Sequence, residues 1–511
     1  MEMLRSAKPL AWFAQMQAAF SVARFSESIH IFEEAARSGS RTSCDSQLLY
    51  ARSLLKKDSQ RAGAFLSKLE LSNPTLSQAS YRHLYLGTAF ARLRDFSEAD
   101  AQFAMARSGF TKTHEQAEFA MHLTRRYLLS NDLTAAVEWY QQTLSDQTRK
   151  GKIRSTHLHA IMLGHSEQYE TQGQELLKLL TLIGSDYKPF AEDWYVAVHT
   201  LSILARELPI PAFATRAHEQ LEIATQWSED FAVHRFQALK ALAWCRALQG
   251  DQLGCMRYLR QAQVVAPSDV WKAIVALDRA FFALVMNQRP WAENEFALAE
   301  DFSDVMDWEA TTGEERVALL LLAELAADLK PKRAKYYLAR YQNLGRLKSN
   351  LHQFSFDHRL EAMSAFTAGT VHAAAGEPAK AEESFRSAWR VFDSIGYNVR
   401  AGRSAASIYR LTGQSRWRYL AEDKFAVYPH SALVRDIPRL ASSKDSEAFF
   451  TPTQTEVVNL IRRGLSTKEI ANELGRSQYT VFNHLKIVYR KLGVKSRAGM
   501  LAEIQRRGIL S

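Results

Sequence analysis

The feature that most constrains the fold is a pattern of small and aromatic residues that recurs along most of the chain. In its clearest copy, Gly87 and Phe90 are followed by Ala99, Phe103 and Ala106. Small residues at helical spacing let two antiparallel helices approach closely, and the aromatic rings fill the space between them. The pattern therefore predicts a helical hairpin in this segment.

The same skeleton recurs elsewhere, and its second clear copy has a Gly-Glu-Pro turn between the two helices. That copy consists of Gly369, Ala381, Phe385 and Ala388, with the turn at Gly376-Glu377-Pro378. Weaker copies contain Ser28, Phe32 and Ala35; Ala62, Leu66, Leu69 and Pro74; Ala136 and Tyr140; Cys255, Leu259, Ala262 and Pro267; and Ala292, Phe296 and Ala299. The stretch 145–230 shows no convincing copy.

The spacing of the anchor residues points to one class of repeat. Phe32, Leu66, Phe103 and Tyr140 step by 34, 37 and 37 residues, close to the ~34-residue tetratricopeptide period. Residues 10–430 therefore resemble a degenerate tetratricopeptide array, an α-solenoid whose stacked helix pairs bury a continuous core and present a concave inner surface. A non-repeating helical bundle is the alternative.

Composition agrees with an all-α protein. Only 12 Pro and 22 Gly in 511 residues favour long helices over a sheet-rich fold. Cys44, Cys245 and Cys255 have no metal-ligand spacing, so we expect reduced core thiols and no metal or cofactor. No stretch has the length and apolar character of a membrane span or a signal core, so we expect a cytoplasmic protein with no membrane partner.

The end of the repeat pattern predicts the domain organisation. The pattern stops after Tyr428-Pro429-His430, and the small polar stretch 441–447 is typical of a linker. We therefore expect a helical repeat region at 1–440, a linker at 441–450 and a separate domain at 451–511.

Charge is concentrated in that last domain. It contains eleven basic and four acidic residues, a net +7 out of +10 for the whole chain. This predicts a polyanionic partner for the C-terminal segment, although a solvated basic surface would have the same composition.

Start and stop signals divide 451–511 into four helices. The second helix opens with a capping box, in which Ser466 and Glu469 can satisfy each other's backbone N–H groups. Glycines suit the residues that end helices. We expect the helices to begin at Thr451, Ser466, Ser477 and Ser496, and the first to end at Gly464.

The third helix has two distinct faces. One face is apolar and would pack on the first two helices: Val481, Leu485, Val488 and Leu492. The other forms an exposed line: Tyr479, Phe482, Asn483, Lys486 and Arg490. A short helix, a tight turn and a second helix with a basic, amide-bearing face suit the major groove of double-stranded DNA.

Many residues of this segment match one family in register. They are Thr451-Pro452, Glu456, Gly464-Leu465-Ser466, Lys468-Glu469-Ile470-Ala471, Leu474, Ser477, Thr480-Val481, Asn483-His484-Leu485, Tyr489, Lys491-Leu492-Gly493-Val494 and Arg497. On these residues the segment resembles the LuxR/GerE-type helix-turn-helix transcription regulators. The resemblance implies a four-helix domain that binds DNA as a homodimer. Its fourth helix, carrying Met500, Leu501 and Ile504, would supply the dimer contact.

The resemblance and the exposed line together give a set of DNA-contacting residues. Lys468 and Thr480 are expected at phosphates, and residues 482, 483 and 486 at base edges or nearby backbone. The full set is Lys468, Arg476, Ser477, Tyr479, Thr480, Phe482, Asn483, Lys486, Arg490 and Lys495.

Two members of the set depart from the family pattern. Phe482 stands where the family usually has Lys or Arg, and a thymine methyl is an alternative contact for its ring. Arg476 stands where an apolar residue is usual, which suggests an extra phosphate contact.

Other residues of the segment are interpreted as structural. We expect Glu456 and Arg497 to pair and join the first helix to the fourth. His484 is expected to be a wedged histidine. Lys491 and Lys495 would also suit solvated helix ends, where the helix dipole favours positive charge.

The sequence as a whole therefore predicts a sequence-specific bacterial transcription regulator and not an enzyme. Because members of the family it resembles are commonly activators, we expect it to activate transcription through RNA polymerase. The array would sense a peptide, protein or small molecule; a scaffold that recruits a protein to DNA without sensing is the alternative. The Gly-x4-Gly-Lys-Ser/Thr phosphate loop is missing, so no ATP-driven switch is expected.

Two further groups of residues are expected to have no part in catalysis or ligand binding. His157, His159 and His165 have no motif spacing, so we expect surface groups. Five aromatic residues at helical spacing are expected in the core and not at a ligand: Trp194, Tyr195, Trp244, Trp271 and Trp308.

Overall fold

The computed structural model describes residues 8–223, 227–304, 313–344, 353–428, 431, 450, 452–492, 494 and 496–507. Throughout these ranges every regular element is helical, which confirms the predicted all-α class. Contacts between residues divide the chain into two units. The first, here called the helical array, comprises Met1–Gly413 and Ala421–Asp436; the second, the C-terminal domain, comprises Gln414–Leu420 and Ile437–Ser511.

Helices of the array pack in antiparallel pairs that follow one another along the chain. Short 3-10 turns at Lys188–Phe190 and Glu229–Phe231 precede α11 and α13. The helices are α1 Lys8–Ser21, α2 Phe25–Arg37, α3 Cys44–Lys57, α4 Ser59–Lys68, α5 Leu76–Arg92, α6 Phe96–Arg107, α7 Thr113–Leu129, α8 Leu133–Thr143, α9 Arg149–His165, α10 Tyr169–Ile183, α11 Ala191–Glu207, α12 Pro211–Ile223, α13 Ala232–Leu248, α14 Gln252–Val265, α15 Asp269–Val285, α16 Arg289–Ser303, α17 Gly313–Leu329, α18 Pro331–Gln342, α19 Gln353–Ala374, α20 Pro378–Ser394, α21 Asn398–Thr412 and α22 Ser415–Lys424.

The small and aromatic residues of the repeat pattern meet as expected. A Cβ added to Gly87 in α5 would lie 3.0 Å from the Phe103 ring of α6. A Cβ added to Gly369 in α19 would lie 2.6 Å from the Phe385 ring of α20. Only glycine permits such close approach, so the pattern correctly identifies the packed face of each hairpin.

The array continues through 145–230, where the sequence shows no convincing copy. The pairs α9–α10 and α11–α12 occupy this stretch. Their second helices keep buried residues at the usual offsets of four and seven but change the residue sizes. Where α6 has Ala99 and Phe103, α10 has Gln172 and Leu176, and α12 has Phe213 followed by Ala217. The repeat is not recognisable in the sequence here because large residues stand where the pattern expects small ones.

Segments of the array about 200 residues apart are also in contact. Asp230 accepts hydrogen bonds from the Ser26 backbone N–H at 2.9 Å and from the Lys57 ammonium group at 2.7 Å. Further along, Arg400 Nε donates to a carboxylate oxygen of Glu207 at 3.0 Å. The array therefore winds tightly enough for successive turns of its superhelix to touch.

The structure corrects two expectations about polar residues of the array. His157 and His165 are buried and not on the surface: His157 Nδ1 lies 2.6 Å from the Asp193 carboxylate, and His165 Nε2 lies 2.9 Å from the Asn131 side-chain oxygen. Both histidines fill polar positions where helix pairs meet. Cys44 is only partly buried, so it is not a core thiol like the other two cysteines.

The predicted core aromatics are buried, with one outside the described residues. Trp194, Tyr195, Trp244 and Trp271 are each at most 9% exposed. Trp308 lies outside the described ranges. Across those ranges no helix combines the length and apolar character needed to cross a bilayer.

The C-terminal domain has its own small core. Besides residues 415–420 of α22, it contains the helices α23 Pro452–Arg462, α24 Thr467–Glu473, α25 Gln478–Leu492 and α26 Arg497–Arg507. Side chains from all four meet in one buried cluster: Val457, Val458, Leu460, Ile461, Ile470, Ala471, Val481, Leu485, Val488, Leu492, Met500 and Ile504. The predicted linker lies outside the described residues except for Phe450, so its boundaries stay a prediction.

Candidate nucleic-acid interface

Helices α24 and α25 are joined by a tight turn and are capped as the sequence predicts. In the capping box, Ser466 Oγ accepts from the Glu469 N–H at 3.3 Å, and Glu469 Oε2 accepts from the Ser466 N–H at 2.7 Å. Hydrogen bonds from the Ser466 side chain and backbone to the carboxylate lower the pKa of Glu469. Gly464 and Gly475, which follow α23 and α24, have φ of +92° and +60°, so both turns use left-handed backbone that suits glycine.

A second cap fixes the start of α25. Ser477 Oγ accepts from the Thr480 N–H at 3.0 Å, and the two hydroxyl oxygens lie 2.8 Å apart. Gln478, the first residue of the helix, is exposed beside this cap. Sequence analysis did not include Gln478 among the predicted contacts, although it directly follows the capping serine.

The two faces of α25 are divided as expected. Val481, Leu485, Val488 and Leu492 are buried in the core of the domain. On the opposite side, Tyr479 and Phe482 are 60% and 59% exposed, which is unusual for side chains of this size. Asn483 and His484 are partly buried beside them.

The same domain has exposed cations. Within its described part, Lys468, Arg476, Lys486 and Arg490 are exposed and form no ion pair. Arg463, by contrast, is paired with Glu473 at 3.0 Å. These four cations and the exposed side of α25 are together called the α25 surface. The predicted contact Lys495 lies outside the described residues.

The prediction that Glu456 and Arg497 form an ion pair is wrong. Arg497 Nη2 donates to the backbone oxygens of Ile461 and Leu465, at 3.2 and 2.6 Å, while Glu456 is exposed to solvent. These backbone oxygens, one in the last turn of α23 and one three residues after the helix, satisfy the guanidinium group. Arg497 still joins the first helix to the fourth. Lys491 also contributes structurally, since its Nζ donates to Gln454 Oε1 at 2.9 Å.

The three residues predicted for dimer contact lie on α26. Met500 and Ile504 are buried in the domain's own core, and Leu501 packs against that core while remaining partly exposed. Burial within one domain leaves Leu501 as the member of the set best placed to meet another molecule. The dimer role itself stays a prediction.

Comparison with known proteins bears on this domain. The model of the bacterial regulatory proteins of the luxR family matches residues 448–502. The spore germination protein GerE of Bacillus subtilis is 42% identical over 65 residues, which cover 13% of this chain and 88% of that protein. The chain belongs to the luxR family of bacterial regulatory proteins.

Other relatives of this luxR-family chain are much larger. Proteins of Mycobacterium tuberculosis and Mycobacterium bovis named as HTH-type transcriptional regulators are each 50% identical over 58 residues, or 11% of this chain. The match spans 7% of the length of each relative, so it describes their helix-turn-helix alone.

Similarity to solved structures covers the whole luxR-family chain but is low. The Cut9–Hcn1 complex of the APC/C is matched over 96% of this chain and 92% of that one, at a TM-score of 0.26 and 12% identity. The Naa15/Naa10 complex bound to HypK-THB is matched over 98% and 81%, at 0.21 and 13%. Scores this low support no conclusion about partners.

Proposed function

We propose that this chain is a transcription regulator whose C-terminal domain binds double-stranded DNA with α25 in the major groove. The observation that carries the proposal is the α25 surface, which combines exposed aromatic rings with exposed cations that form no ion pair among the described residues. Unpaired basic side chains supply the affinity for phosphates, while a helix face of amide, aromatic and basic groups contacts base edges.

The positions of the polar residues suggest how contacts are divided. Lys468 on α24 and Arg476 in the turn would meet phosphates, with Ser477 and Thr480 at the N-terminal end of α25, where a helix favours anions. Asn483, Lys486 and Phe482 would face the base edges, Phe482 through a thymine methyl. Tyr479 and Arg490 would contact the flanking backbone.

Dimerisation on DNA belongs to the same proposal. Because Met500 and Ile504 are buried within the domain, we place the dimer contact on the exposed side of α26, around Leu501 and Ala502. Two domains would then read half-sites about one helical turn apart.

We further propose that the helical array regulates this DNA binding in response to a bound effector, and that the protein acts in the cytoplasm with RNA polymerase. The array's size and its cavities support sensing. The alternative, a scaffold that recruits a protein partner, would need no ligand cavity.

Alanine substitution on the α25 surface tests DNA binding. If Lys486 meets a phosphate, Lys486→Ala weakens binding to all duplexes and reduces the slope of log K against log salt by about 0.9. If it reads a guanine, the loss is about 1–3 kcal/mol at one base position. Fluorescence anisotropy of the full chain over a salt series distinguishes the two.

Arg463→Ala is the matched control for this test. It removes one positive charge of the same domain, but that charge is already paired with Glu473. We expect a smaller effect on the salt slope than for Lys486→Ala. Equal salt slopes and affinities for the wild type and Lys486→Ala would contradict the proposed interface.

A further inference from the structure

The second half of the array encloses two neighbouring cavities. The larger is about 370 Å³ and lies between helices α15, α17, α19, α20 and α21. The smaller, about 60 Å³, reaches towards α11 and α13 and is bordered by Trp244. The larger volume lies in the range of about 300–1,000 Å³ that is typical of small-molecule sites.

Three side chains lie between the two cavities, because Arg403 of α21, Glu324 and Phe366 line both. The guanidinium group of Arg403 is ion-paired with Glu324 and lies over two aromatic rings, 5.0 Å from the Phe281 centroid and 4.8 Å from the Phe366 centroid. The rings of this cavity therefore already accept a cation on their faces.

The carboxylate of Asp328 has a different position. Asp328 lies on α17 one turn after Glu324 and lines the larger cavity at its exposed rim. Within the described residues no hydrogen bond or ion pair engages its side chain; nearby Arg289 donates to the Asp328 backbone oxygen and pairs with Glu293. Burial, and then the neighbouring Glu324, raise the pKa of Asp328 by more than the nearby Arg289 and Arg410 lower it. A cation beside it would be stabilised.

The remaining walls are mostly apolar. Phe281, Leu284, Val285, Leu325, Phe366 and Phe385 surround the larger cavity. A chamber with apolar walls and, at its rim, a carboxylate that forms no hydrogen bond or ion pair with the described residues has the chemistry of a site for an amphiphile, because the apolar body is removed from water while its charged end meets the carboxylate.

We propose that the larger cavity binds a small amphiphilic amine, with its aromatic or aliphatic body against Phe281 and Phe366 and its ammonium group beside Asp328. This rests on the proposed sensing function and names the site and the chemical class of the effector. Arg403, Glu324 and Phe366 lie between this ligand and the smaller cavity. Arg410 also lines the larger cavity, so an acid of the same shape is the competing ligand.

Three compounds with one ring system test the charge preference. Tryptamine, tryptophol and indole-3-propionate share an indole and differ in carrying an amine, a hydroxyl or a carboxylate. We expect isothermal titration of the full chain to give a Kd about tenfold lower for tryptamine than for tryptophol, equivalent to about 1.4 kcal/mol. Indole-3-propionate should bind most weakly. Equal or tighter binding of tryptophol or the acid, or no tryptamine binding at about 1 mM, overturns the proposal.

Two variants test the placement of the ligand. Asp328→Asn should weaken tryptamine about tenfold and leave tryptophol within about twofold. Phe366→Leu should weaken both compounds, because it removes a ring face. Asp301→Asn, at an exposed position on α16 away from this cavity, is the matched control and should change neither. Unchanged tryptamine affinity in Asp328→Asn overturns the proposed site.

DNA binding provides a separate readout. The full chain is tested, with and without tryptamine, on a duplex that it has itself selected from a random pool. A shift in DNA affinity that Asp328→Asn abolishes supports both the site and sensing. Tryptamine binding without that shift leaves the site intact and overturns sensing. Tryptamine binding by a chain that selects no duplex overturns the DNA-binding proposal instead.

Discussion

The helical array and the C-terminal domain use their charges in opposite ways. In the array, Lys240 lies 3.1 Å from Asp278, and these side chains are 10% and 3% exposed. On the α25 surface, Lys486 and Arg490 are exposed and, within the described residues, take part in no ion pair. Net charge follows the same division, with +7 of the total +10 in residues 451–511.

This difference separates two roles of charge. A buried ion pair adds little net stability compared with apolar packing, but removing one partner leaves the other without compensation in a poorly solvated site. An exposed cation costs the domain little and remains available to a polyanion. Substitutions in the array should therefore change folding, and substitutions on the α25 surface should change binding.

The largest effect is expected for the pair between α13 and α15. Asp278→Ala leaves Lys240 buried without its carboxylate and also removes the acceptor of the Trp244 indole N–H, which lies 3.0 Å from Asp278 Oδ1. We expect a loss of about 3 kcal/mol of stability, measured by urea unfolding of the full chain. Asp269→Ala is the control, since its pair with Lys272 is solvent-exposed, and should cost under about 1 kcal/mol. Similar losses of stability in both variants would contradict the expected difference between a buried and an exposed ion pair.

Packing between α10 and α12 gives the next effect. A Cβ on Gly173 would lie 2.2 Å from the Phe213 ring, so Gly173→Ala should cost about 2 kcal/mol. Gly63→Ala adds the same methyl group 3.6 Å from Ala89 Cβ, an ordinary contact. That control should be neutral or stabilising, because alanine favours helix. A stable Gly173→Ala protein would show that Phe213 can move aside.

A smaller effect depends on pH. The rings of His199 and His234 are 4.9 Å apart, and burial lowers their pKa values to about 4 and about 3. Unfolded histidine titrates near 6.5. The unfolded state therefore binds more protons between these values, and the array loses stability as pH falls below about 6.5, on the order of 1 kcal/mol per pH unit for each histidine.

His199→Gln tests this pH dependence. Thermal melts between pH 7 and pH 5 should flatten in the variant, whereas His30→Gln at an exposed site should leave the slope unchanged. A wild-type slope that His199→Gln does not alter would assign the acid sensitivity to other groups.

The smallest effect concerns the C-terminal domain. Ser466→Ala removes the hydroxyl that caps α24 and should cost about 1 kcal/mol. Because the hydrogen bonds from Ser466 also lower the pKa of Glu469, their stabilising effect is present near neutral pH and is lost as pH falls through the folded pKa of Glu469. The melting temperature of the C-terminal domain, measured over a range of pH, should therefore fall less with acid in Ser466→Ala than in the wild type. DNA affinity at neutral pH serves as the control and should change little.

Much of the fold could be predicted from local sequence. The hairpins at Gly87–Phe103 and Gly369–Phe385 follow from residue size at fixed spacing, and the cap at Ser466 follows from its partner Glu469 three residues later. The pairs at α9–α12 could not be predicted because Phe213 occupies a position where the pattern expects a small residue.

The remaining features depend on residues far apart in sequence. Glu456 and Arg497 have complementary charges, but the backbone oxygens of Ile461 and Leu465 compete for the same guanidinium group. The cavity beside Asp328 is formed by helices whose side chains have the sequence pattern of an ordinary core. The cavity could not be predicted because it depends on how α21 packs against α15 and α17.

The contacts between turns of the superhelix have a consequence for how the array unfolds. An open solenoid joins each repeat to its neighbours alone, so it can fray from either end one repeat at a time. In this array Asp230 accepts hydrogen bonds from Ser26 and Lys57, and Glu207 accepts one from Arg400. Loss of the first hairpins would remove partners from helices near the middle of the chain. The array should therefore melt in large cooperative blocks.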